Sequence, residues 1–132
     1  MRKPRCLIVE DQALIGMSLE AFLEDNGYDV IGPFLRKAPA LEWLKHDTPE
    51  LALLDVMLPD GSSVELAAQL KARAVAFAVY SGLKPDPNAP EFQNVPWLEK
   101  PMSRRGLATV LAELAPLPAD GAEAPVPASI GN

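Results

Sequence analysis

Several residue types are scarce in this chain, and each scarcity excludes a class of protein. The single cysteine, Cys6, cannot form an internal disulfide, and nothing indicates an oxidising compartment. The apolar runs are about 4–9 residues long, far below the ~20 that a membrane-spanning helix needs. The basic segment 2–5 is followed by a short apolar run and then by Glu10 and Asp11, so it is not typical of a signal peptide. The sequence therefore predicts a soluble, cytoplasmic protein with no membrane contact.

Positive charge is also scarce. Twelve lysines and arginines face eighteen aspartates and glutamates, which gives a formal net charge of −6. A surface this acidic repels the phosphates of DNA and RNA, so we do not expect nucleic acid as a partner.

The chain nevertheless has enough apolar residues for one hydrophobic core. Of its 132 residues, 48 % are hydrophobic and 23 % are charged, a balance typical of a single folded domain. Residues 116–132 differ, because they contain proline, alanine and glycine with few large apolar side chains. Such a segment cannot offset the entropy that it would lose on ordering. We predict one domain over residues 1–115 and a flexible tail over 116–132.

The hydrophobic pattern predicts alternating strands and helices. Short runs of consecutive apolar residues, bounded by polar ones, are typical of parallel strands that are covered on both faces. Three such runs and two weaker ones lie at residues 5–10, 51–55, 75–80, 28–32 and 95–98. Apolar residues spaced along one helical face occur at residues 12–26, 37–47, 63–73 and 104–114. This alternation predicts a doubly wound α/β fold with a five-stranded parallel sheet.

One helix of such a fold is missing from the pattern. Residues 82–96, between the fourth and fifth strands, contain Pro85, Pro87, Pro90 and Pro96. A proline inside a helix costs roughly 3 kcal/mol. We therefore predict that the fourth helix is short or is replaced by a Pro-rich loop.

Three carboxylates follow strands of the predicted sheet. Glu10 and Asp11 end the first strand, and Asp55 directly follows Leu-Ala-Leu-Leu in the third. In a doubly wound fold these strands are neighbours, and ligands bind beyond their carboxyl ends. Carboxylates gathered in a cleft repel one another unless a cation lies among them, and an all-oxygen set favours Mg²⁺. Each acid alone could merely end a strand or cap a helix, but the combination predicts a magnesium site.

A hydroxyl and an ammonium group complete this set. Ser81 ends the fourth strand, and Lys100 follows the fifth. Both supply hydrogen-bond donors suited to phosphoryl oxygens. The bond from Lys100 to Pro101 can be cis at a modest energetic cost, which would aim the lysine inward. A turn serine and a solvated lysine are the ordinary alternatives for each residue alone.

Together these residues resemble the receiver domain of bacterial two-component response regulators. Residues 8–11, Ile-Val-Glu-Asp, are similar to the family's acidic pair, and residues 53–61, Leu-Leu-Asp-Val-Met-Leu-Pro-Asp-Gly, to its phosphoacceptor strand and following loop. Residues 81–82, Ser-Gly, and 100–101, Lys-Pro, match the switch hydroxyl and the lysine with its cis proline. The resemblance extends to about residue 115. It implies a CheY-like, flavodoxin-like fold with strand order 2-1-3-4-5.

The resemblance also implies a function. A stand-alone receiver would accept a phosphoryl group on Asp55 from a histidine kinase or a histidine phosphotransfer protein, and would relay the signal by a conformational switch. Lys100 and Ser81 would contact the phosphoryl group. Mg²⁺ would be bound by Asp11, Asp55 and the backbone carbonyl of Met57, with Glu10 acting through a coordinated water. Such a protein catalyses only its own phosphorylation and dephosphorylation, and its downstream partner is not indicated by the sequence.

Other residues near the site are interpreted in two ways. Trp97 lies where the family often has a rotating aromatic residue, although an ordinary core tryptophan is the simpler interpretation and Tyr80 competes for the role. Residues 77–82, Phe-Ala-Val-Tyr-Ser-Gly, are similar to a strand of the FAT GUY receiver subgroup, whose members lack a regular fourth helix and an output domain. No sequence pattern indicates a partner for His46, which is therefore interpreted as an ordinary surface residue.

Alternative functions belong to other classes. The protein could be a phosphate sink, or a pseudo-receiver that only docks a partner. A Mg²⁺-dependent aspartyl phosphatase would need a second acid two residues after Asp55, where Met57 stands instead. A flavodoxin-like cofactor binder would need a phosphate-binding loop after the first strand, where Glu10 and Asp11 would repel the phosphate.

Overall fold

Strands and helices alternate along the chain. The computed structural model describes residues 3–84, 89–101 and 103–114, so the predicted tail over 116–132 lies outside the described residues. The elements are, in chain order, β1 (Arg5–Val9), α1 (Ala13–Asp25), β2 (Asp29–Phe34), α2 (Lys37–Leu44), β3 (Leu51–Leu54), β4 (Met57–Leu58), β5 (Gly61–Ser62), α3 (Val64–Ala72), β6 (Ala76–Ser81), a 3₁₀ turn (Pro90–Phe92), β7 (Trp97–Glu99) and α4 (Arg104–Leu114). Each predicted strand and helix is present, with ends that differ by a few residues.

Five strands form one sheet in the order β2-β1-β3-β6-β7. Every pairing within this sheet is parallel. Since β6 and β7 are its fourth and fifth strands, the predicted order 2-1-3-4-5 is confirmed. The first and third strands therefore lie side by side, and their carboxyl ends meet at one edge of the sheet, where doubly wound folds bind ligands.

A hydrophobic core lies on each face of the sheet, because successive strand residues point to opposite faces. One core joins Leu7, Val9, Ala52, Leu54, Phe77 and Val79 to Ala40 and Leu44 of α2 and Leu66 and Leu70 of α3. The other joins Cys6, Ile8, Leu51, Leu53 and Ala78 to Leu19 and Leu23 of α1 and Leu107 and Leu111 of α4. Coverage on both faces explains why the strand sequences are apolar at consecutive positions.

The region between β6 and β7 agrees with the predicted short helix. Among the described residues of this region, Pro90–Phe92 form a single 3₁₀ turn; residues 85–88 are outside the described part. Phe92 is buried, and Lys71 of α3 donates a hydrogen bond from Nζ to the carbonyl oxygen of Gln93 at 2.9 Å. This turn is therefore fastened to α3.

A short antiparallel hairpin, which the sequence pattern did not predict, follows β3. Its strands β4 and β5 pair Met57 with Ser62. Gly61 has a φ of +121°, which side-chain-bearing residues rarely adopt. A hydrogen bond of 2.8 Å from the Ser63 N–H to the Val56 carbonyl closes the base of the hairpin. The hairpin thus begins only two residues beyond Asp55.

Candidate functional site

The three predicted carboxylates converge at the edge where β1 and β3 end. Glu10, Asp11 and Asp55 each offer a carboxylate oxygen, and these oxygens all lie within 4.8 Å of one another. Glu10 is almost fully buried, Asp55 is buried at the rim and Asp11 is exposed. Helix α1 begins at Ala13 after Gln12, so Asp11 is not the residue that caps it. The parallel pairing of neighbouring strands therefore gathers residues from distant parts of the chain.

Lys100 reaches into this cluster from the loop after β7. Its Nζ lies 2.6 Å from Oε1 of Glu10 and 3.0 Å from Oδ2 of Asp55. The peptide bond from Lys100 to Pro101 is cis, as the sequence analysis expected. One ammonium group thus offsets part of the charge of three converging carboxylates.

Burial and charge pairing act in opposite directions in this cluster. Burial raises the pKa of Glu10 above its ordinary value, and the hydrogen bonds from Lys100 and from the backbone of Gln12 only partly oppose it. Burial also acts to lower the pKa of Lys100, but its hydrogen bonds to Glu10 and Asp55 outweigh this and raise the pKa. The lysine is therefore a cation at neutral pH.

Both oxygens of Asp55 have a defined partner. Oδ1 accepts a hydrogen bond of 2.7 Å from the Val56 N–H, and Oδ2 accepts one of 3.0 Å from Lys100. The backbone N–H of Asp55 donates to the carbonyl of Val9 at 2.9 Å, which extends the β1–β3 ladder to the site. The carboxylate that is the predicted phosphoacceptor is therefore held in one orientation, with one oxygen toward the lysine.

Ser81 ends β6 and is buried at the site. Its Oγ accepts a hydrogen bond of 3.1 Å from the Leu83 N–H. The carbonyl of Leu83 in turn accepts a hydrogen bond of 2.8 Å from Nε1 of Trp97. The serine hydroxyl and the indole are thus joined through one residue of the loop after β6.

The two aromatic candidates lie in different surroundings. Tyr80 is half-buried, and its ring centroid lies 5.6 Å from Nζ of Lys100. Trp97 is also half-buried and meets Phe92 edge to face, with ring centroids 5.8 Å apart. Trp97 thus contacts the core and the loop after β6 together.

Gln12 is a site residue that the sequence analysis missed. Its Oε1 accepts a hydrogen bond from Lys100 at 3.3 Å, and its backbone N–H donates to Oε2 of Glu10 at 3.0 Å. Its position directly after the acidic pair was the available signal, but a polar residue at the start of a helix is too common to indicate a role.

The donor set fits a small, hard cation. Three carboxylates within reach of one another, one of them exposed to solvent, match the preference of Mg²⁺ for a few carboxylate oxygens with water in the remaining positions. The backbone carbonyl of Met57 belongs to the hairpin that begins beside this cluster. Its role as a ligand remains a prediction.

Large apolar side chains are exposed on elements that adjoin the acidic cluster. Leu35, Met57 and Leu83 follow the carboxyl ends of β2, β3 and β6, and Leu14 and Met17 lie in the first turns of α1. Beside them, a groove of about 240 Å³ runs between α1 and α4, lined by Leu14, Ile15, Ser18, Leu19, Phe22, Tyr80, Arg104 and Leu107. We call Leu14, Met17, Leu35, Met57 and Leu83 the apolar rim.

Comparison with known proteins identifies the family. The family model described as the response regulator receiver domain matches residues 6–112. The chain belongs to this family. The transcriptional regulatory protein PdtaR of Mycobacterium tuberculosis is 32 % identical over 72 residues, which are 54 % of this chain and 35 % of PdtaR. The chain thus matches about a third of the length of that relative.

Solved structures agree with the receiver fold. The solution structure of SdrG from Sphingomonas melonis Fr1 is 36 % identical, with a TM-score of 0.74 over 86 % of this receiver and 98 % of that chain. The receiver domain of the sensor histidine kinase PA1611 from Pseudomonas aeruginosa PAO1 is 22 % identical, with a TM-score of 0.73 over 86 % of this receiver and 98 % of that chain. That structure has a magnesium ion coordinated in its active-site cleft. At this sequence identity, the similarity to the PA1611 receiver concerns the fold alone.

Further expectations of the sequence analysis have mixed outcomes. In this receiver His46 is exposed, as expected, and its Nε2 lies 3.2 Å from Oε2 of Glu42. No helix among the described residues is both long and apolar enough to span a bilayer. The resemblance to the FAT GUY subgroup is not confirmed and remains a prediction.

Proposed function

We propose that this receiver accepts a phosphoryl group on Asp55 from a phosphohistidine of a histidine kinase or phosphotransfer protein, and relays the change by a conformational switch. The observation that carries the proposal is the convergence of Glu10, Asp11, Asp55 and Lys100 at the ends of β1, β3 and β7. An isolated buried salt bridge needs only two of these groups. Two further acids beside such a salt bridge favour a site that binds a cation and accepts a phosphoryl group.

The proposed cation is Mg²⁺, held by Asp11, Asp55 and the Met57 carbonyl, with Glu10 acting through water. When bound, it would offset the charge of the transferring phosphoryl group and bring it in line with the attacking oxygen. The magnesium ion of the PA1611 receiver supports this assignment, since both proteins share one fold.

The chain's own residues perform the transfer. An oxygen of Asp55 forms a bond to phosphorus as the bond from phosphorus to the donor's imidazole nitrogen breaks, and the imidazole leaves with that electron pair. Lys100, now 3.0 Å from Oδ2 of Asp55, then pairs with an oxygen of the phosphoryl group. This shift would also change the pairing of Lys100 with Glu10, from whose Oε1 its Nζ now lies 2.6 Å.

Ser81 converts the new charge into a movement. Its hydroxyl now accepts a hydrogen bond from the Leu83 N–H, and the phosphoryl group would draw it into donating to a phosphoryl oxygen. Loss of the Leu83 bond to Ser81 would release the loop after β6, and the bond from Trp97 to the Leu83 carbonyl would carry that change to the indole.

The apolar rim suits the approach of the phosphohistidine donor. The donor must bring its imidazole to the acidic cluster, and the rim and the groove between α1 and α4 lie around that approach. Exposed large apolar side chains mark sites of protein association, because a partner that desolvates them gains much of its binding energy there. We therefore propose α1 and α4, the first and last helices described, as the docking elements.

The test is phosphorylation in vitro. Incubation with Mg²⁺ and acetyl phosphate should add the mass of one phosphoryl group to the intact protein, and Asp55→Asn should abolish the gain. Asp29→Asn, which changes an exposed carboxylate at the opposite end of the sheet, serves as the control and should retain it. Equal phosphorylation of the wild type and Asp55→Asn would reject the proposal. Short reaction times and acid quenching limit loss of the acyl phosphate.

A further inference from the structure

Asp60, at the tip of the β4–β5 hairpin, is bonded to a distant helix. Its Oδ1 accepts a hydrogen bond of 2.9 Å from the Lys37 N–H, and its Oδ2 accepts one of 3.0 Å from the Ala38 N–H. These are the first two backbone donors of α2, which have no partner within the helix. One carboxylate thus satisfies both donors across 22 and 23 positions of the sequence.

Helix α2 has no cap of its own. Arg36 occupies the residue before the helix, in an extended conformation, and makes no side-chain hydrogen bond to it. Partial desolvation acts to raise the pKa of Asp60, but the N–H groups of Lys37, Ala38 and Asp60 itself, with the charge of Arg36, together hold the pKa below its ordinary value. Asp60 is therefore ionised at neutral pH, as an acceptor at a helix N-terminus should be.

The hairpin is consequently fixed at both ends. Its base is closed by the hydrogen bond from the Ser63 N–H to the Val56 carbonyl, directly after Asp55. Its tip is fixed to α2 by Asp60. Met57 lies between these two points, and its side chain is exposed, so backbone bonds and the tip contact hold its position more than side-chain packing does.

We infer that Asp60 is a positioning residue: it holds the hairpin against α2, and thereby fixes the Met57 carbonyl at the cation site. The inference rests on the proposed function, because it assigns Asp60 to the proposed magnesium site through Met57. Groups that orient metal ligands without touching the metal typically change metal affinity strongly when they are removed.

The variants for the test are Asp60→Ala, which removes both acceptor oxygens, and Asp60→Asn, which keeps one. The control is Lys37→Met, which retains the backbone N–H that Asp60 binds and removes only the ammonium group, 3.8 Å from Glu65. Three quantities are measured: binding of Mg²⁺ alone by calorimetry, hydrogen exchange of the hairpin amides in metal-free protein, and phosphorylation by acetyl phosphate at increasing Mg²⁺.

Asp60→Ala should raise the Mg²⁺ dissociation constant by about tenfold, the lower end of the effect of losing an outer contact. It should also accelerate exchange of the hairpin amides, while the phosphorylation rate at saturating Mg²⁺ stays near that of the wild type. Asp60→Asn should give an intermediate change. Lys37→Met should stay within about twofold, because exposed ion pairs contribute little.

Each contrary outcome has a separate meaning. Unchanged Mg²⁺ affinity in Asp60→Ala, with only a lower melting temperature, would overturn the inference and leave Asp60 as a helix cap. Failure of the wild type to gain phosphoryl mass while it binds Mg²⁺ would overturn the proposed function but not the positioning role. Failure of the wild type to bind Mg²⁺ would overturn both.

Discussion

The three carboxylates of the acidic cluster differ in their exposure and hydrogen-bond partners, and these differences suit them to different tasks. Glu10 is 2 % exposed and pairs with Lys100, whereas Asp11 is open to solvent. Asp55 lies between these extremes, with one oxygen on the Val56 N–H and the other on the lysine. A phosphoacceptor must be held in place and still be reached by a donor, and only Asp55 of the three combines both conditions.

Met57 and Leu83 should lengthen the lifetime of the acyl phosphate. They lie two residues beyond Asp55 and Ser81, with 52 % and 50 % of their surface exposed, and neither side chain carries a strong hydrogen-bonding group that could orient an attacking water. Met57→Asn adds an amide that can orient that water, so autodephosphorylation should accelerate by about tenfold, less than a full general base contributes. The decay of phosphorylated protein, followed by intact mass, measures this. Met57→Leu should match the wild type, and an unchanged rate in Met57→Asn would contradict the explanation.

At the scale of elements, the ends of the strands and the close packing of α1 position the residues of the acidic cluster. Helix α1 begins after Gln12, one residue beyond the acidic pair, so Glu10 and Asp11 lie in the short connection between β1 and α1. Gly16 lets α1 approach β2: an added Cβ would lie 3.0 Å from Cβ and 3.2 Å from Cγ of Pro33. The proline ring is rigid and cannot swing aside.

Gly16→Ala should therefore destabilise the receiver. Alanine favours a helix by 0.5–1 kcal/mol over glycine, roughly, but overpacking against a rigid ring costs about 1–3 kcal/mol, so we expect a net loss of about 1 kcal/mol. Urea denaturation with an unchanged m-value measures the free energy of unfolding. Gly82→Ala is the matched control, because nothing lies within 4 Å of its added Cβ. A Gly16→Ala variant more stable than the wild type would show that α1 can move away from β2 freely.

At the scale of the whole molecule, an acidic chain with a net charge of −6 concentrates carboxylates at one edge of its sheet. Without a cation, burial of Glu10 opposes its ionisation. The folded state then holds the Glu10 proton more tightly than the unfolded state does, so ionisation of Glu10 lowers stability as pH rises from 4.5 through the raised pKa.

Mg²⁺ should reverse this penalty. A cation that binds only the folded state raises the free energy of unfolding by about 2.7 kcal/mol at 100 times its dissociation constant. Because an ionised Glu10 strengthens the site through its coordinated water, the stabilisation by Mg²⁺ should grow as pH rises through the raised pKa of Glu10 and should shrink as pH falls below it. Thermal unfolding with Mg²⁺ or EDTA, from pH 4.5 to 8, measures the difference. Glu10→Gln should weaken this pH dependence; an equal dependence in that variant would refute the assignment to Glu10.

The amino-acid pattern predicted the alternation of strands and helices and the set of residues at the strand ends, whereas the strand order was implied by the resemblance to receiver domains. The alternation follows from local physics: consecutive apolar residues specify strands covered on both faces, and prolines between β6 and β7 disfavour a long helix. The partners of those residues are visible only in the folded sheet. Lys100 pairs with Glu10 as well as with Asp55, Gln12 joins the site, and Asp60 caps a helix that precedes it by more than 20 residues. No local pattern encodes such contacts, because a hydrogen bond between segments distant in sequence depends on how the whole sheet brings their ends together.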